Sequence, residues 1–414
     1  MSFKVGAEIA DMITPDDHNA LHAIYQHRCL NEQQLTKYIY NARDDGYNGY
    51  ALRRIRALIS FGLIEVHEYG PNPKCVFFLT YQGVQYIRDT AGRPMYHTKE
   101  KSGRRRYEAT AGGLWLPDTM LDHQTRLNDL ALALVRRCHL DPSCYKDNLF
   151  AANFTYAQPD GVLELPEQDF FLEMDMGHER MVALRGKWDH YRSYFKSRDY
   201  QLHRNKPVTV LFATENVSSL SRRRRTVVKS LARTSMDLLG PKFDCYITSN
   251  EGLEEIMERL GLGHPGAYQR VATLLEEKHR VRFLTPLPPP GTLFPASRMC
   301  VTPDGSRFLF LDGSDRPMSG IKRIAYFGQE QSSLGEARLL VLMPDEEGAC
   351  VDELASEIRP GPEVCYVTEK RLQRRPFYEA LFQFDQLGNR FRLSGPGPGG
   401  LVFERHQRRV RNNI

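Results

Sequence analysis

The chain has 414 residues, 41% hydrophobic and 26% charged, a globular balance too long for one ordinary core, so two or three domains are expected. No apolar run approaches bilayer length, and the first residues lack the basic start and apolar stretch of a secretory leader; a cytoplasmic protein with no membrane partner is expected. The formal net charge of +5 is modest, but basic residues cluster at 99–106, 222–225 and 405–411, a distribution suited to phosphates, with plain solvated surface as the competing reading.

Thr14-Pro15-Asp16-Asp17 reads as a helix start, with a capping hydroxyl, proline in the first turn and acids at the positive dipole end; Leu21, Ile24 and Tyr25 share one face. Asn31-Glu32 opens a short second helix through Leu35, Tyr38 and Ile39. A third is expected over about 47–60, with Ala51, Leu52, Ile55, Leu58 and Ile59 at helical spacing and Gly62 as its stop. Alternation over 63–69, turn chemistry at Gly70-Pro71-Asn72-Pro73 and the apolar run 75–79 predict a hairpin, followed by a helix from Tyr81. This order is that of a winged helix-turn-helix, assigned to residues 1–92. Its third helix leaves Tyr50, Arg53, Arg54 and Arg56 for base edges and phosphates of double-stranded DNA, and Lys74 beside the turn for a phosphate. A winged helix used for protein contacts is the alternative.

Residues 93–118 read as a basic linker, and 119–285 as a compact α/β domain. The expected elements there are a helix over 121–137, strands at 162–165 and 169–175, a helix over 179–197, a strand at 208–212, a basic helix over 220–239 and a strand at 243–247. Arg222, Arg223, Arg224 and Arg225 on the basic helix are expected to grip DNA backbone. After the proline run 286–290, residues 286–414 read as a strand-rich α+β domain of unknown role. Strands are expected at 307–311, 321–327 and 337–342, and Gly395–Gly400 is expected to be too glycine-rich for regular structure. Eight scattered cysteines form no C-x-x-C pair or zinc spacing and read as reduced thiols.

The sharpest chemical signal is Pro159-Asp160-Gly161 followed by Glu173-Met174-Asp175. A turn centred between Pro166 and Glu167 sets Asp160 opposite Glu173, with Asp175 on the same strand face, so three carboxylates are expected to share one surface. Mutual repulsion calls for a cation, and Mg²⁺ or Mn²⁺ suits a few carboxylates plus water. The pattern resembles the PD-(D/E)xK nuclease core, a restriction-endonuclease-like fold in which a strand lysine orients the attacking water. Here Asp175 takes the lysine position, and Lys187 on the next helix is the candidate replacement. His123, with Asn128 and Asp129, lies on the preceding helix and is expected to face the acids or to be structural. Asp160, Glu173, Asp175, Lys187 and His123 are thus the candidate catalytic set, the three acids its metal ligands, and whether the chain is an enzyme stays open.

With these residues quoted, the chain resembles the replication-relaxation family of plasmids and other mobile elements. The likeness runs over about 15–215, through Leu52-Arg53-Arg54-Ile55-Arg56-Ala57-Leu58, Phe61-Gly62-Leu63-Ile64, Phe78-Leu79-Thr80-Tyr81-Gln82-Gly83, His123, Asn128-Asp129, Pro159-Asp160, Phe170 to Glu179, Lys187 and Tyr191. The resemblance implies a winged helix joined to a nuclease-like domain, acting in replication initiation, DNA relaxation or mobilisation beside a relaxase or replication initiator. It also implies that an acid at 175 is usual in the family. A metal-dependent endonuclease or nickase using Asp160 and Glu173, and a winged-helix transcriptional regulator, are the alternatives. The oligomeric state is open, and a dimer is compatible with it.

Overall fold

A computed structural model describes residues 12–40, 49–91, 96–98, 106–108, 110–149, 156–177, 179–198, 200–201, 206–215, 220–262, 267–284, 298–334, 337–356, 364–384, 390–397 and 400–405. The chain is mixed α/β and divides into two compact units, one of residues 1–176 and 193–208, the other of 177–192 and 209–414. The expected boundaries at 92/93 and 118/119 therefore fall inside the first unit. Among the described residues no helix is long and apolar enough to cross a membrane.

The first unit opens with α1 (Pro15–His27). The Thr14 hydroxyl accepts from the Asp17 N–H at 3.3 Å while the Asp17 carboxylate accepts from the Thr14 N–H at 2.8 Å, a reciprocal cap. Asn31 and Gln34 repeat the device at α2 (Glu32–Gln34), which continues as a π-helical turn over Leu35–Ile39. Next comes α3 (Gly49–Ser60), burying Ala51, Ile55 and Leu58 at i, i+4 and i+7. Gly62, at φ 68°, takes the left-handed geometry that ends it.

Strands β2 (Ile64–Tyr69) and β3 (Lys74–Leu79) form the expected hairpin, in register from Ile64↔Leu79 to Tyr69↔Lys74. A third strand that the sequence did not announce, β1 (Leu30–Asn31), pairs antiparallel with β3, and α4 (Tyr81–Ala91) follows. The expected basic linker is in part ordered. Tyr96–Thr98 pairs with Arg106–Glu108, and Ala111–Leu114 is helical. The apolar Leu114-Trp115-Leu116 step anchors the second of these. Leu114 joins the core of α1–α4, Leu116 packs with Cys29, Tyr69 and Phe78, and the Trp115 ring stacks on Phe78 at 4.3 Å. The basic residues 99–105 lie outside the described residues.

Helix α5 (Asp118–Arg137) buries an apolar face interrupted by Gln124 and Asn128, and is followed by β4 (Tyr145–Asp147), β5 (Gly161–Glu164) and β6 (Asp169–Asp175). These strands form an antiparallel meander, with Tyr145↔Leu163 on one side of β5 and Gly161↔Leu172 on the other. Every residue of β6 is buried.

Helix α6 (Met181–Lys196) spans the point where the chain passes between units. In the second unit the buried strand β7 (Val208–Thr214) lies beside β8 (Phe243–Thr248), with α7 (Leu220–Ser235) between them in sequence. Helices α8 (Asn250–Leu262) and α9 (Ala267–Glu277) lead into an eight-stranded sheet. Its strands are, in sheet order, β9 (Arg282–Leu284), β10 (Arg298–Val301), β11 (Arg307–Asp312), β12 (Arg338–Leu342), β13 (Val364–Val367), β14 (Phe382–Phe384), β15 (Arg390–Gly397) and β16 (Gly400–Arg405).

β9 pairs with β10, and Val271 and Leu275 of α9 share a core with Phe308 and Leu340, so elements on either side of the expected 285/286 boundary pack together; the prolines themselves lie outside the described residues. Three expectations for this region are corrected. Residues 321–327 are not a strand but part of α10 (Met318–Leu334); Met318, Ile321 and Phe327 fit a helical stripe as well as a strand. With α10 and α11 (Glu346–Ser356) as crossovers, β11, β12 and β13 run parallel, so the centre is α/β rather than α+β. The glycine-rich tail is a hairpin, pairing Gly395↔Val402 and Gly397↔Gly400, and the register shifts between Leu393 and Gly395, so that the flanking pairs are Leu393↔Phe403 and Phe391↔Arg405. Residues 406–414 lie outside the described residues.

Candidate functional site

The acids of the first unit follow from the β5–β6 register. Since Gly161 faces Leu172, Asp160 falls beside Glu173, as the turn position implied. The Asp160 backbone extends the ladder: its N–H donates to Leu172 O at 3.0 Å and its carbonyl accepts from Asn148 N–H at 3.1 Å. The side chain then turns back, with Oδ2 accepting from the Met174 N–H at 2.8 Å. His123 arrives from the first turns of α5. Its Nε2 lies 3.1 Å from Met174 O and 3.3 Å from Asp160 Oδ2. Both partners are acceptors, so the ring proton belongs on Nε2. His123 and Asp160 are partly exposed, whereas Glu173 and Asp175 are 0% and 1% exposed.

The structure thus joins His123 to Asp160 and sets Glu173 next in register. Among the described residues, however, no group of three or more His, Cys, Asp or Glu side chains is placed to hold a metal ion, and the three expected metal ligands are not such a group. Lys187, on α6, belongs to the other unit. It pairs with Glu179 at 3.3 Å, and its ammonium lies 5.5 Å from the Phe212 ring centre.

Beneath Asp160 lies a buried polar network that sequence reasoning missed. Asp147, paired across the meander with Gly161, accepts from the Leu149 N–H at 3.0 Å and from Gln124 Nε2 at 2.9 Å, with Arg28 Nη1 at 3.9 Å. Burial pushes the Asp147 carboxyl up to about 6, opposed by the Arg28 charge and its hydrogen bonds and assisted by the Asp160 charge. His27 stacks on Tyr145 with ring centres 4.4 Å apart, and its Nδ1–H donates to Asn128 Oδ1 at 3.3 Å. Burial lowers the His27 pKa to about 4, so the ring is neutral.

Asn128 Nδ2 in turn donates to Cys29 O at 2.6 Å, fastening the end of α1 to α5. Asp129 accepts from Gln34 Nε2 at 2.7 Å. Asn128 and Asp129 therefore position elements rather than face the acids. A Cβ at Gly161 would stand 2.8 Å from Tyr145 Cε2, so glycine there lets the Tyr145 ring lie against the strand. The available signal was the pair Gln124 and Asn128, polar at i and i+4 on an otherwise apolar face.

The basic residues divide sharply. On α3, Arg53 and Arg56 are exposed, and Tyr50 is 41% exposed with its hydroxyl donating to Asp16 at 3.2 Å. Arg54 is not available to a ligand: its Nε donates to both Asp17 oxygens at 3.1 Å, and its Nη2 to Asp17 and to Met12 O at 2.9 Å. Asp17 is fully buried and also accepts from Tyr40 at 3.1 Å. Burial raises its pKa, but the Arg54 and Thr14 hydrogen bonds outweigh that and hold it below the ordinary value.

Lys74, 58% exposed, pairs with Asp122 of α5 at 2.7 Å, and His67 pairs with Asp118 at 2.8 Å, so the β2–β3 hairpin is tied to α5. On α7, Arg222 and Arg225 are exposed and Arg223 donates to Glu179 O at 2.7 Å. Arg224 is buried, donating to Asp352 at 2.8 Å and to Ile247 O at 2.6 Å; its expected outward role is corrected. Position 224 falls on the helix face that carries Val227, Val228 and Leu231 into the core.

Residues 21–211 match the model of a protein family described as replication-relaxation. No curated protein and no solved structure matches the chain.

Proposed function

We propose, from the match of residues 21–211 to the replication-relaxation family model, that the protein binds double-stranded DNA of a plasmid or other mobile element and acts in its replication or relaxation. In this reading β1–β3 with α1–α4 form a winged helix-turn-helix, α3 enters the major groove, and the meander with its acids belongs to a nuclease-like domain. A relaxase or replication initiator is the protein partner it implies. The observation that carries it is α3 itself, which buries Ala51, Ile55 and Leu58 while presenting Arg53, Arg56 and Tyr50 to solvent. Long cationic donors beside a buried stripe suit base edges and phosphates.

The test is a shift assay at controlled salt with plasmid DNA carrying the origin or transfer region. Arg53→Ala with Arg56→Ala is expected to weaken binding. Each lost phosphate contact should lower the slope of log affinity against log salt by about 0.9. Unchanged affinity and slope would remove the reading.

The register that sets Asp160 beside Glu173, with His123 on Asp160, favours a second reading: cleavage of the bound DNA in the presence of Mg²⁺ or Mn²⁺. Supercoiled plasmid incubated with protein and Mn²⁺ decides it. Nicked product that disappears in Asp160→Ala supports cleavage, and product that persists assigns it to a contaminant.

A further inference from the structure

The second unit holds a cavity of about 390 Å³ whose lining includes Lys370, Arg371, Arg374 and Arg375, with Asp345 and Glu346. It lies just past the carboxyl ends of the adjacent parallel strands β12 and β13, which finish at Leu342 and Val367. Open α/β sheets place ligands at that edge, in crevices beyond the strand ends. The volume falls in the range of small-molecule sites, roughly 300–1,000 Å³.

The nearby acids are already engaged. Glu346 pairs with Arg371 at 2.8 Å, and Arg371 also donates to Ala380 O at 2.6 Å and Glu379 O at 2.9 Å, making it part of the wall. The Asp345 carboxylate accepts from the Gly348 N–H. Glu369 turns to Arg270 at 3.3 Å and accepts from Gln373.

Lys370, Arg374 and Arg375 are thus three cations with no ion-pair partner among the described residues. Lys370 and Arg374 stand at i and i+4 on the short helix Glu369–Arg374, where like charges oppose each other. Among the described residues no carboxylate forms an ion pair with either side chain, and an anion in the cavity would offset that repulsion.

We propose that this cavity binds a phosphoryl group, carried either by a free nucleotide or by the 5′ end of a DNA strand. Forked guanidinium donors at Arg374 and Arg375 match phosphate oxygens, and the Lys370 ammonium adds a point charge. The proposal is independent of α3 and of the acids in the first unit, and it gives the C-terminal region a ligand.

Calorimetric titration of the intact protein tests it, with inorganic pyrophosphate, ADP, and a short oligonucleotide bearing a 5′-phosphate or a 5′-hydroxyl as probes. Pyrophosphate is expected to bind. Arg374→Ala and Lys370→Ala should each weaken it by roughly tenfold, the scale of one charge-assisted contact, with unchanged thermal midpoints since both side chains are exposed. Arg282→Ala, an exposed cation on the edge strand β9, should leave it unchanged.

ADP binding more tightly than pyrophosphate assigns the free nucleotide. A preference for the 5′-phosphorylated strand that vanishes in Arg374→Ala assigns the strand end. Absence of pyrophosphate binding, or equal weakening by all three variants, overturns the proposal.

Discussion

Arg53 and Arg54 are neighbours of one residue type on one helix, yet removing them should have opposite consequences. Arg54→Ala leaves the fully buried Asp17 carboxylate with only the Thr14 and Tyr40 donors. Breaking a buried ion pair costs about 3–5 kcal/mol, and the 21% exposure of the Arg54 side chain with the surviving donors brings the expected cost down to about 2–3 kcal/mol. Arg53→Ala removes an exposed side chain and should change stability by no more than about 0.5 kcal/mol.

Urea unfolding followed by Trp115 fluorescence, in a Trp188→Phe background, reads the first unit. The acid limb gives an independent check. Asp17 has a folded pKa below its unfolded value, so its contribution is full above about pH 4 and is lost as pH falls through the folded value. Arg54→Ala should flatten that loss. Equal midpoints for Arg53→Ala and Arg54→Ala, with the acid limb intact in both, would refute the division of the helix into a structural and an exposed arginine.

Two further outcomes follow from the buried network and the second unit. His27, held down to about 4, makes stability fall as pH drops from about 6.5 towards 4, whereas Asp147, pushed up to about 6, makes stability fall as pH rises from about 4 to 6. The two slopes offset each other in the intact protein. Asp147→Asn should expose the His27 slope and His27→Phe the Asp147 slope, read as unfolding midpoints across that window; parallel profiles for both variants would be inconsistent with the network. Arg224→Ala should destabilise the second unit by about 2–3 kcal/mol, because the buried Asp352 keeps Arg316 at 2.8 Å but loses its second guanidinium, while Arg225→Ala leaves its melting unchanged. An Arg224→Ala protein that melts like Arg225→Ala would contradict a buried pair.

Local signals carried much of the fold. The reciprocal cap at Thr14 and Asp17, the helical stripe of Ala51, Ile55 and Leu58, and the Gly70–Pro73 turn are each decided within a few residues, and all appear where the pattern places them. The Asp160–Glu173 register was legible for the same reason, because a tight turn determines its own pairing. The patterns that misled were those with two local solutions. Residues 321–327 suit a strand or a helix, and the stretch Gly395–Gly400, all glycine and proline, has no alternation of apolar and polar side chains to declare a hairpin.

What a short window cannot hold is the identity of a partner distant along the chain. Arg53 and Arg54 differ only because Asp17, 37 residues from Arg54, is buried beneath one of them. Arg224 differs from Arg225 because Asp352, 128 residues away, meets it in the core. Composition and spacing determined which elements form and which residues carry charge. Only the packing of those elements decided which charges are neutralised inside and which face water, since a charge leaves solvent only where a partner from elsewhere in the chain replaces it.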